Sequence, residues 1–488
     1  MGFITMSDLR ANGKPPIHNS LKAITMSNMG KRKFNQYWDS LFDSKGQLRN
    51  NKKLSEQIPS GLWKGIRCFI VGGGASLEGF DFDLLKGEAV ITVNRAFEFF
   101  SQSAINIFQD ARVFGYYENN QFAEGGDAKL KFERYKGFKT WLNVQAFPFP
   151  EDIYCIRPCH ITDFNWQNYS NGIPPYGNSG LNALTLAVCL GANPIYLLGF
   201  DCKKSGNKPN FHSGYPSGTS DEAYKRFISD FKESSHFIKQ KTKVINLNRQ
   251  SALQCFEFGD IEGVPKITKP VYISFYTVNT GYQWEKERLV KSARRFGIMI
   301  DFYEQKDLGS WRANIHDRIR ILRYFLDKYK GQDIVYIDCD AEIANYPFLF
   351  DNWDKGDFGI HKIDREQYFG EDWNKHWKEQ YEYLGGTMYL SNNDKIRQLL
   401  NIWEEMDKPM DTPLSQFTLI EAIRKMQKKG LVVYEIPANY CQIFDIMRDV
   451  GEPVIEHFQA SRRGIVNVKI NGNKRSLVFG EDRVYAEH

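Results

Sequence analysis

The sequence predicts an α/β protein built from two doubly wound units, on three observations. From Ile66 onward, short apolar runs bounded by glycine or polar turns alternate with segments of helical period. The same alternation restarts at Val271. Between the two, Gly263-Val-Pro-Lys-Ile-Thr-Lys-Pro270 carries two prolines and no apolar periodicity, the mark of a linker. The resulting boundaries are an extension over 1–60, a first α/β domain over 61–262, a linker over 263–270, a second α/β domain over 271–468 and a polar tail over 469–488.

A chain of 488 residues has room for about two to four domains and for cores that need no disulfide support. Its 64 basic and 59 acidic side chains leave a net charge of +5, which neither demands nor excludes a polyanionic partner. The eight cysteines are irregularly spaced. Cys155-x-x-x-Cys159-His160 is the one tight group and lacks a second pair for zinc, so reduced, buried thiols are expected. No basic region followed by an apolar run opens the chain, and Met1-Gly2 fails the myristoylation pattern because residue 6 is Met. The expectation is a cytoplasmic protein without a lipid anchor. The uncharged stretch Asn178 to Phe200 is long enough to span a bilayer, but Asn182, Gly191, Asn193 and Pro194 divide it. It reads as a buried helix, Leu181 to Leu190, followed by a strand, Pro194 to Gly199, and not as a membrane span.

The extension is rich in Asn, Lys and Ser and partly helical: Phe34, Tyr37, Trp38, Leu41 and Phe42 recur at helical spacing within Lys31 to Phe42. Such a stripe suits docking on the protein body, although a basic arm with interleaved aromatics also suits nucleic acid. In the first domain, strands are expected at Arg67–Val71, Ala89–Val93 and Ile195–Gly199. Gly72-Gly-Gly-Ala-Ser-Leu77 after the first of them is a glycine turn whose N–H groups and adjoining helix start can hold phosphate.

With Val93-Asn94-Arg-Ala-Phe97, Gly177-Asn-Ser-Gly180 and Ile195-Tyr-Leu-Leu-Gly-Phe-Asp201 coming after it in order, Ile66 to Ser251 resembles the bacterial sialyltransferases that use cytidine-monophosphate sugars, and the related phage and archaeal proteins of the pterin-pyrophosphokinase-like class. The resemblance implies a Rossmann-like domain in which Gly73, Ser76, Asn94, Asn178, Ser179 and Asp201 line a nucleotide pocket, with His212 as general base. His212 stands nearer the preceding strand than in that family, and Lys203 occupies the place of a phosphate-binding tyrosine. The plainer alternative is a scaffold that positions acceptor for its neighbour.

The most telling segment of the second domain is Asp333-Ile-Val-Tyr-Ile-Asp-Cys-Asp340, an apolar strand that ends in Asp338-x-Asp340. Two carboxylates delivered to the C-terminal edge of a strand are like charges that a divalent cation relieves, and that cation can neutralise a nucleotide diphosphate. The dipeptide alone is weak, since Asp81-Phe-Asp83 has it without the strand. Here it comes after the strand at Val271–Phe275 and helices expected at Tyr282–Phe296 and Ile315–Tyr329, and precedes the glycine-containing strand Tyr383–Ser391 and the late His457.

In that order, Lys269 to Ile465 resembles the GT-A glycosyltransferases, especially the retaining, glycogenin- and galactosyltransferase-like family. The resemblance implies a UDP-sugar donor and Mn²⁺ or Mg²⁺ held by Asp338, Asp340 and His457. It places the nucleoside on Phe275, Tyr276 and Thr277, with the Tyr276 ring either stacking or packing, and puts Arg318 or Arg320 before the donor phosphates. Gly385 and Gly386 would leave room for the sugar. Arg462 or Arg463 replaces the family's lysine, and Ser415-Gln416 replaces its Asp-Gln pair, with Gln416 beneath the sugar. In the absence of a nucleophilic carboxylate, a front-face retaining reaction is expected.

The expected function is therefore a metal-dependent, two-module glycosyltransferase. An aromatic, Asn- and Lys-rich composition like that of large tailed phages points by analogy to hydroxymethylated phage DNA as acceptor, with a surface glycan as the other class. The alternative function is a nucleotide-binding or pyrophosphotransfer protein with an accessory transferase-like domain. Oligomeric state is not readable from the sequence.

Overall fold

The computed structural model describes residues 52–460 apart from 110, 119–121, 123–126, 143–151, 207, 213–214, 216–218, 371–378, 408–414 and 448. The amphipathic stripe at 31–42 and the tail after 468 lie outside the described residues. The chain divides into two compact units, Met1–Pro265 with Arg294–Gly297, and Lys266–Ala293 with Ile298–His488.

The first unit is built on one parallel eight-stranded sheet. Its strands are β1 (Cys68–Val71), β2 (Ala89–Val93), β3 (Ile105–Phe108), β4 (Phe138–Leu142), β5 (Ile153–Ile156), β6 (Ile195–Leu198), β7 (Val244–Asn246) and β8 (Glu257–Phe258), in the order β5-β4-β3-β2-β1-β6-β7-β8. The order reverses direction at β1, so the glycine turn after β1 lies at the sheet's switch point, where strand ends leave a crevice. The helices are α1 (Leu54–Gln57), α2 (Ala111–Glu118), α3 (Ala128–Arg134), α4 (Ser179–Leu190) and α5 (Asp221–Lys239).

Helix α4 settles the uncharged stretch. Asn178 caps it by accepting from the Leu181 N–H at 2.6 Å, Gly191 ends it in the left-handed conformation, and every residue from Leu181 to Leu190 is buried. Twelve residues rise about 18 Å, short of a bilayer. Among the described residues, no helix is long and apolar enough to cross a membrane. All eight cysteines are free thiols, and Cys68, Cys155, Cys189, Cys339 and Cys441 are buried.

The second unit carries β9 (Val271–Thr277), α6 (Tyr282–Arg294), β10 (Ile300–Gln305), α7 (Trp311–His316), α8 (Arg318–Lys328), β11 (Ile334–Ile337), β12 (Ala341–Ile343), β13 (Phe358–Asp364), α9 (Arg365–Phe369), β14 (Tyr381–Leu390), α10 (Asp394–Asp407), α11 (Ser415–Gln427), β15 (Val433–Glu435), β16 (Gln442–Ile443) and β17 (Ile455–His457). Six strands form one sheet in the order β10-β9-β11-β14-β13-β15, and β12-β17-β16 form a second, small one. The larger sheet is mixed, because β14 runs antiparallel to both β11 and β13. That corrects the expectation of a second doubly wound sheet. Strand direction leaves no trace in apolar period, so the sequence could not reveal it. One face buries Ile273, Tyr336, Ile360 and Met388 against Leu322, Phe325, Leu399, Trp403 and Leu419 of the helices. Removing such side chains from water contributes about 1.5 to 3 kcal/mol each.

The single helix expected at 315–329 is two helices. Asp317 sits at the break, where its carboxylate accepts from Arg320 Nε and Nη2 at 2.6 Å each and from Gln305 Nε2 at 2.9 Å. Capturing Asp317 on β10 turns the chain so that Arg318 begins α8 buried.

Candidate functional site

One register step beyond the Ile337↔Thr387 pair, Asp338 N–H still bonds the Gly386 carbonyl of β14 at 2.8 Å, so the aspartate turn begins against β14. Ala341 N–H then bonds the Asp338 carbonyl at 3.1 Å, and this tight turn projects both aspartates before β12 diverges. Strand β12 pairs antiparallel with β17 in the register Ala341↔His457, Glu342↔Glu456 and Ile343↔Ile455. A residue 117 positions after Asp340 is thereby delivered beside the turn. One ligand atom from each of Asp338, Asp340 and His457 lies within 4.8 Å of the others.

The surroundings define the charge state of this cluster. Asp338 keeps 32 % of its side chain exposed, yet protein crowds it, and this desolvation pushes its carboxyl above the ordinary range against the opposing pull of Arg318. The Asp340 charge pushes in the same direction as the desolvation. Arg318 Nη2 stands 3.7 Å from Asp338 Oδ1, and its Nη1 donates to the Gly385 carbonyl at 3.1 Å. The Tyr336 hydroxyl donates to Asp338. His457 is 4 % exposed, and burial depresses its pKa, which keeps the imidazole neutral. Its Nε2 lies 2.8 Å from the Thr387 hydroxyl; with Nε2–H donating there, the lone pair rests on Nδ1. Two carboxylates and a neutral imidazole are a donor set that fits Mn²⁺ or Mg²⁺, and a cation would relieve the like charges that raise Asp338.

The glycines of β14 have a different reason from the one expected. A Cβ on Gly385 would stand 2.6 Å from Arg318 Nη1, and one on Gly386 would stand 2.8 Å from the His457 ring. In the direction a Cβ would take, the space at both glycines is filled by protein groups of the cluster. Of the two candidate arginines, Arg318 faces Asp338, whereas Arg320 is exposed and occupied by Asp317 and Tyr303.

Tyr276 is 5 % exposed, with Lys286 Nζ 4.2 Å over its ring, Phe302 edge-on to it, and its hydroxyl donating to Glu304 at 2.5 Å. A ring so placed packs among its neighbours, the second of the two readings left open for it. Thr277 is likewise buried, with its hydroxyl 3.3 Å from Gln305 Oε1, and Phe275 stacks on Tyr336. Gln416 belongs to α11, but its side chain lies outside the described residues, as do Arg462 and Arg463.

In the first unit, Gly73, Ser76, Asp201 and His212 come together at the C-terminal edge of β1 and β6. Asp201 accepts from Ser76 N–H at 2.8 Å, from the Ser76 hydroxyl at 2.5 Å and from Asn248 Nδ2 at 2.9 Å. Both donors of Ser76, a residue expected to line the nucleotide pocket, are therefore held by a carboxylate. The glycine turn leads into a single 3₁₀ turn, Ala75–Leu77, so the helix start expected there is absent. Gly74 is required by packing, since a Cβ would stand 2.5 Å from Asp201 and 2.6 Å from the Gly199 carbonyl. Residues 210–212 run along the turn: Phe211 N–H bonds the Gly73 carbonyl at 3.1 Å, and a Cβ on Gly73 would be 3.8 Å from His212 Nε2. The His212 ring is buried and stacked over Phe99. Asn94, the residue after β2, has φ of 55° and a buried Oδ1 that no described group bonds, while Asn178 and Ser179 open α4. Lys203 is exposed.

Residues that pattern reasoning missed are Thr387, Tyr336 and Arg288, each of which reads in the sequence as an ordinary strand or helix residue. A pair of half-buried His316 with buried Asp407 was missed for the same reason; Asp407 also accepts from the Thr418 hydroxyl at 2.6 Å.

No protein-family model matches the chain, and no curated protein matches it. Among solved structures, it is similar to a glycosyltransferase involved in the glycosylation of the major capsid of PBCV-1, with 16 % identity, 39 % of this chain and 94 % of that one covered, and a TM-score of 0.30. It is similar to mouse xyloside xylosyltransferase 1, with 12 % identity, 40 % and 99 % covered, and a TM-score of 0.26. It is also similar to the galactosyltransferase LgtC in complex with donor and acceptor sugar analogues, with 12 % identity, 49 % and 83 % covered, and a TM-score of 0.24. Likenesses at this level carry no weight for function.

Proposed function

We propose that the second unit transfers a sugar from a UDP-sugar to an acceptor hydroxyl, with Mn²⁺ or Mg²⁺ held by Asp338, Asp340 and His457. The observation that carries this reading is the convergence of those three ligand atoms within 4.8 Å at the end of an otherwise apolar strand. Bound there, the ion supplies electrostatic stabilisation of a departing diphosphate. Arg318, fixed on the Gly385 carbonyl, places a permanent positive charge beside Asp338, where it suits the same phosphates. Thr387 and Tyr336 orient the imidazole and the first carboxylate. The proposed course is front-face transfer with retention.

The first unit is proposed to bind the acceptor or a second nucleotide at the C-terminal edge of its parallel sheet, around Gly73, Asn94, Asn178 and His212. The two Ser76 donors already held by Asp201 favour a scaffold role beside it. Hydroxymethylated DNA and a surface glycan are the two acceptor classes to test.

Incubating the full chain with Mn²⁺ and UDP-glucose or UDP-galactose, with water as acceptor, tests the reading. Slow release of UDP, abolished by EDTA and restored by Mn²⁺, is the expected result. Consumption of ATP with no UDP release from any donor would sink it in favour of pyrophosphotransfer.

A further inference from the structure

The three candidate ligands come from two chain segments far apart in sequence, so their mutual geometry depends on whatever holds the Asp338–Asp340 turn against the segment after β17. Part of that is local: Phe458 N–H bonds the Asp340 carbonyl at 3.1 Å, and Ala460 N–H bonds Asp340 Oδ2 at 2.7 Å. The rest comes from a third element. On α6, Glu285, Arg288 and Ser292 share one face at spacings of three and four. Ser292 accepts from Ile343 N–H of β12 at 3.0 Å. Arg288 Nη2 donates to the Asp340 carbonyl at 2.8 Å, and its guanidinium lies 4.1 Å over the Phe458 ring, next to His457. Glu285, nearly fully buried, pairs with Arg288 and fixes its head group.

We infer that Arg288 is a positioning residue of the metal site: it bridges the aspartate turn and the histidine segment and so sets the affinity for the cation. This rests on the proposed metal site but does not depend on which sugar or acceptor is used. The role is not self-evident, because a guanidinium beside a cation site is a like charge, and by Coulomb repulsion alone its removal would tighten metal binding. Position and charge thus predict opposite signs. Loss of an outer contact that orients a ligand costs about 10- to 100-fold in metal affinity.

The test is Mn²⁺ binding to the full chain without substrate, monitored by the electron paramagnetic resonance signal of free Mn²⁺ and paired with a thermal midpoint. Arg288→Met keeps the stem over Phe458 and removes the charge and the hydrogen bond; it is expected to weaken Mn²⁺ by about tenfold or more. Arg288→Lys keeps the charge without the planar fork and is expected to fall between parent and Arg288→Met. Affinity for Arg288→Met within twofold of the parent, or tighter, overturns the inference. If Arg288→Met does not fold, an Arg288→Lys affinity equal to the parent's overturns it alone. Asp340→Ala separates the two layers: if it binds Mn²⁺ as the parent does, or the parent binds none, the metal site itself falls.

Discussion

Gly386 makes room for His457: a Cβ at position 386 would stand 2.8 Å from the imidazole Cε1 and 3.0 Å from Nδ1. Contacts that short force one partner to move, and the ring is already held through Nε2 by Thr387. Gly386→Ala is therefore expected to destabilise the second unit by about 1 to 3 kcal/mol and to displace the ring from the two aspartates. Chemical denaturation measures the first effect. A Mn²⁺ titration measures the second, which should exceed that of Gly385→Ala, where the crowded atom is the far end of the flexible Arg318 side chain.

Thr387→Val removes the hydroxyl that meets His457 Nε2 while preserving shape. Because that contact selects the tautomer, the variant is expected to bind Mn²⁺ about 10-fold or more weakly. Thr387→Ser should restore most of the affinity. Equal titrations for parent and Val variant would show that the imidazole is held by packing alone.

Strands β1, β2, β6, β9, β11 and β14 and helices α4 and α6 could be read from the sequence because their apolar periods are strong: β2 occupies the five residues expected, and α4 begins within two of its predicted start. The aspartate pair stood out for the same physical reason, since charge at the end of an apolar strand is costly without a partner. What stayed hidden is set by approach of distant groups. Nothing local distinguishes Gly385 and Gly386 serving a sugar from the same glycines serving Arg318 and His457. Between the two readings left open for Tyr276, its burial favours packing, because Lys286 and Glu304, from other elements, cover its ring and bond its hydroxyl. In the first unit, the glycine turn suggested phosphate, and what the sequence could not show is that Asp201, 125 residues from Ser76, holds both Ser76 donors.

The second unit should lose stability as pH falls through the range below about 6.5, the ordinary value for histidine. His361 is buried with Nδ1 2.9 Å from the Ile436 carbonyl, and burial depresses its pKa. As the folded value lies below the unfolded one, the unfolded chain takes up the proton first, so stability falls with pH until the folded value is reached. One such histidine contributes at most about 1.4 kcal/mol per pH unit. Urea denaturation of chelator-treated protein between pH 7.5 and 5 should show the slope, and His361→Gln should reduce it.

Asp201→Asn decides what the first unit's switch-point carboxylate is for. In the parent its two oxygens accept three donors, from Ser76 N–H, the Ser76 hydroxyl and Asn248 Nδ2, and the residue is 4 % exposed. An amide keeps the shape but exchanges one acceptor for a donor that would face donors, leaving buried groups unpaired. Hydrogen bonds to a charged group are worth about 1.5 to 3 kcal/mol, so the variant should lose about that much stability without any nucleotide present. The loss should appear in the denaturation of the first unit and be insensitive to added CMP or UDP. A variant as stable as the parent, but with a nucleotide affinity that the parent has and it lacks, would show instead that Asp201 serves a ligand and that its contacts to Ser76 give way on binding.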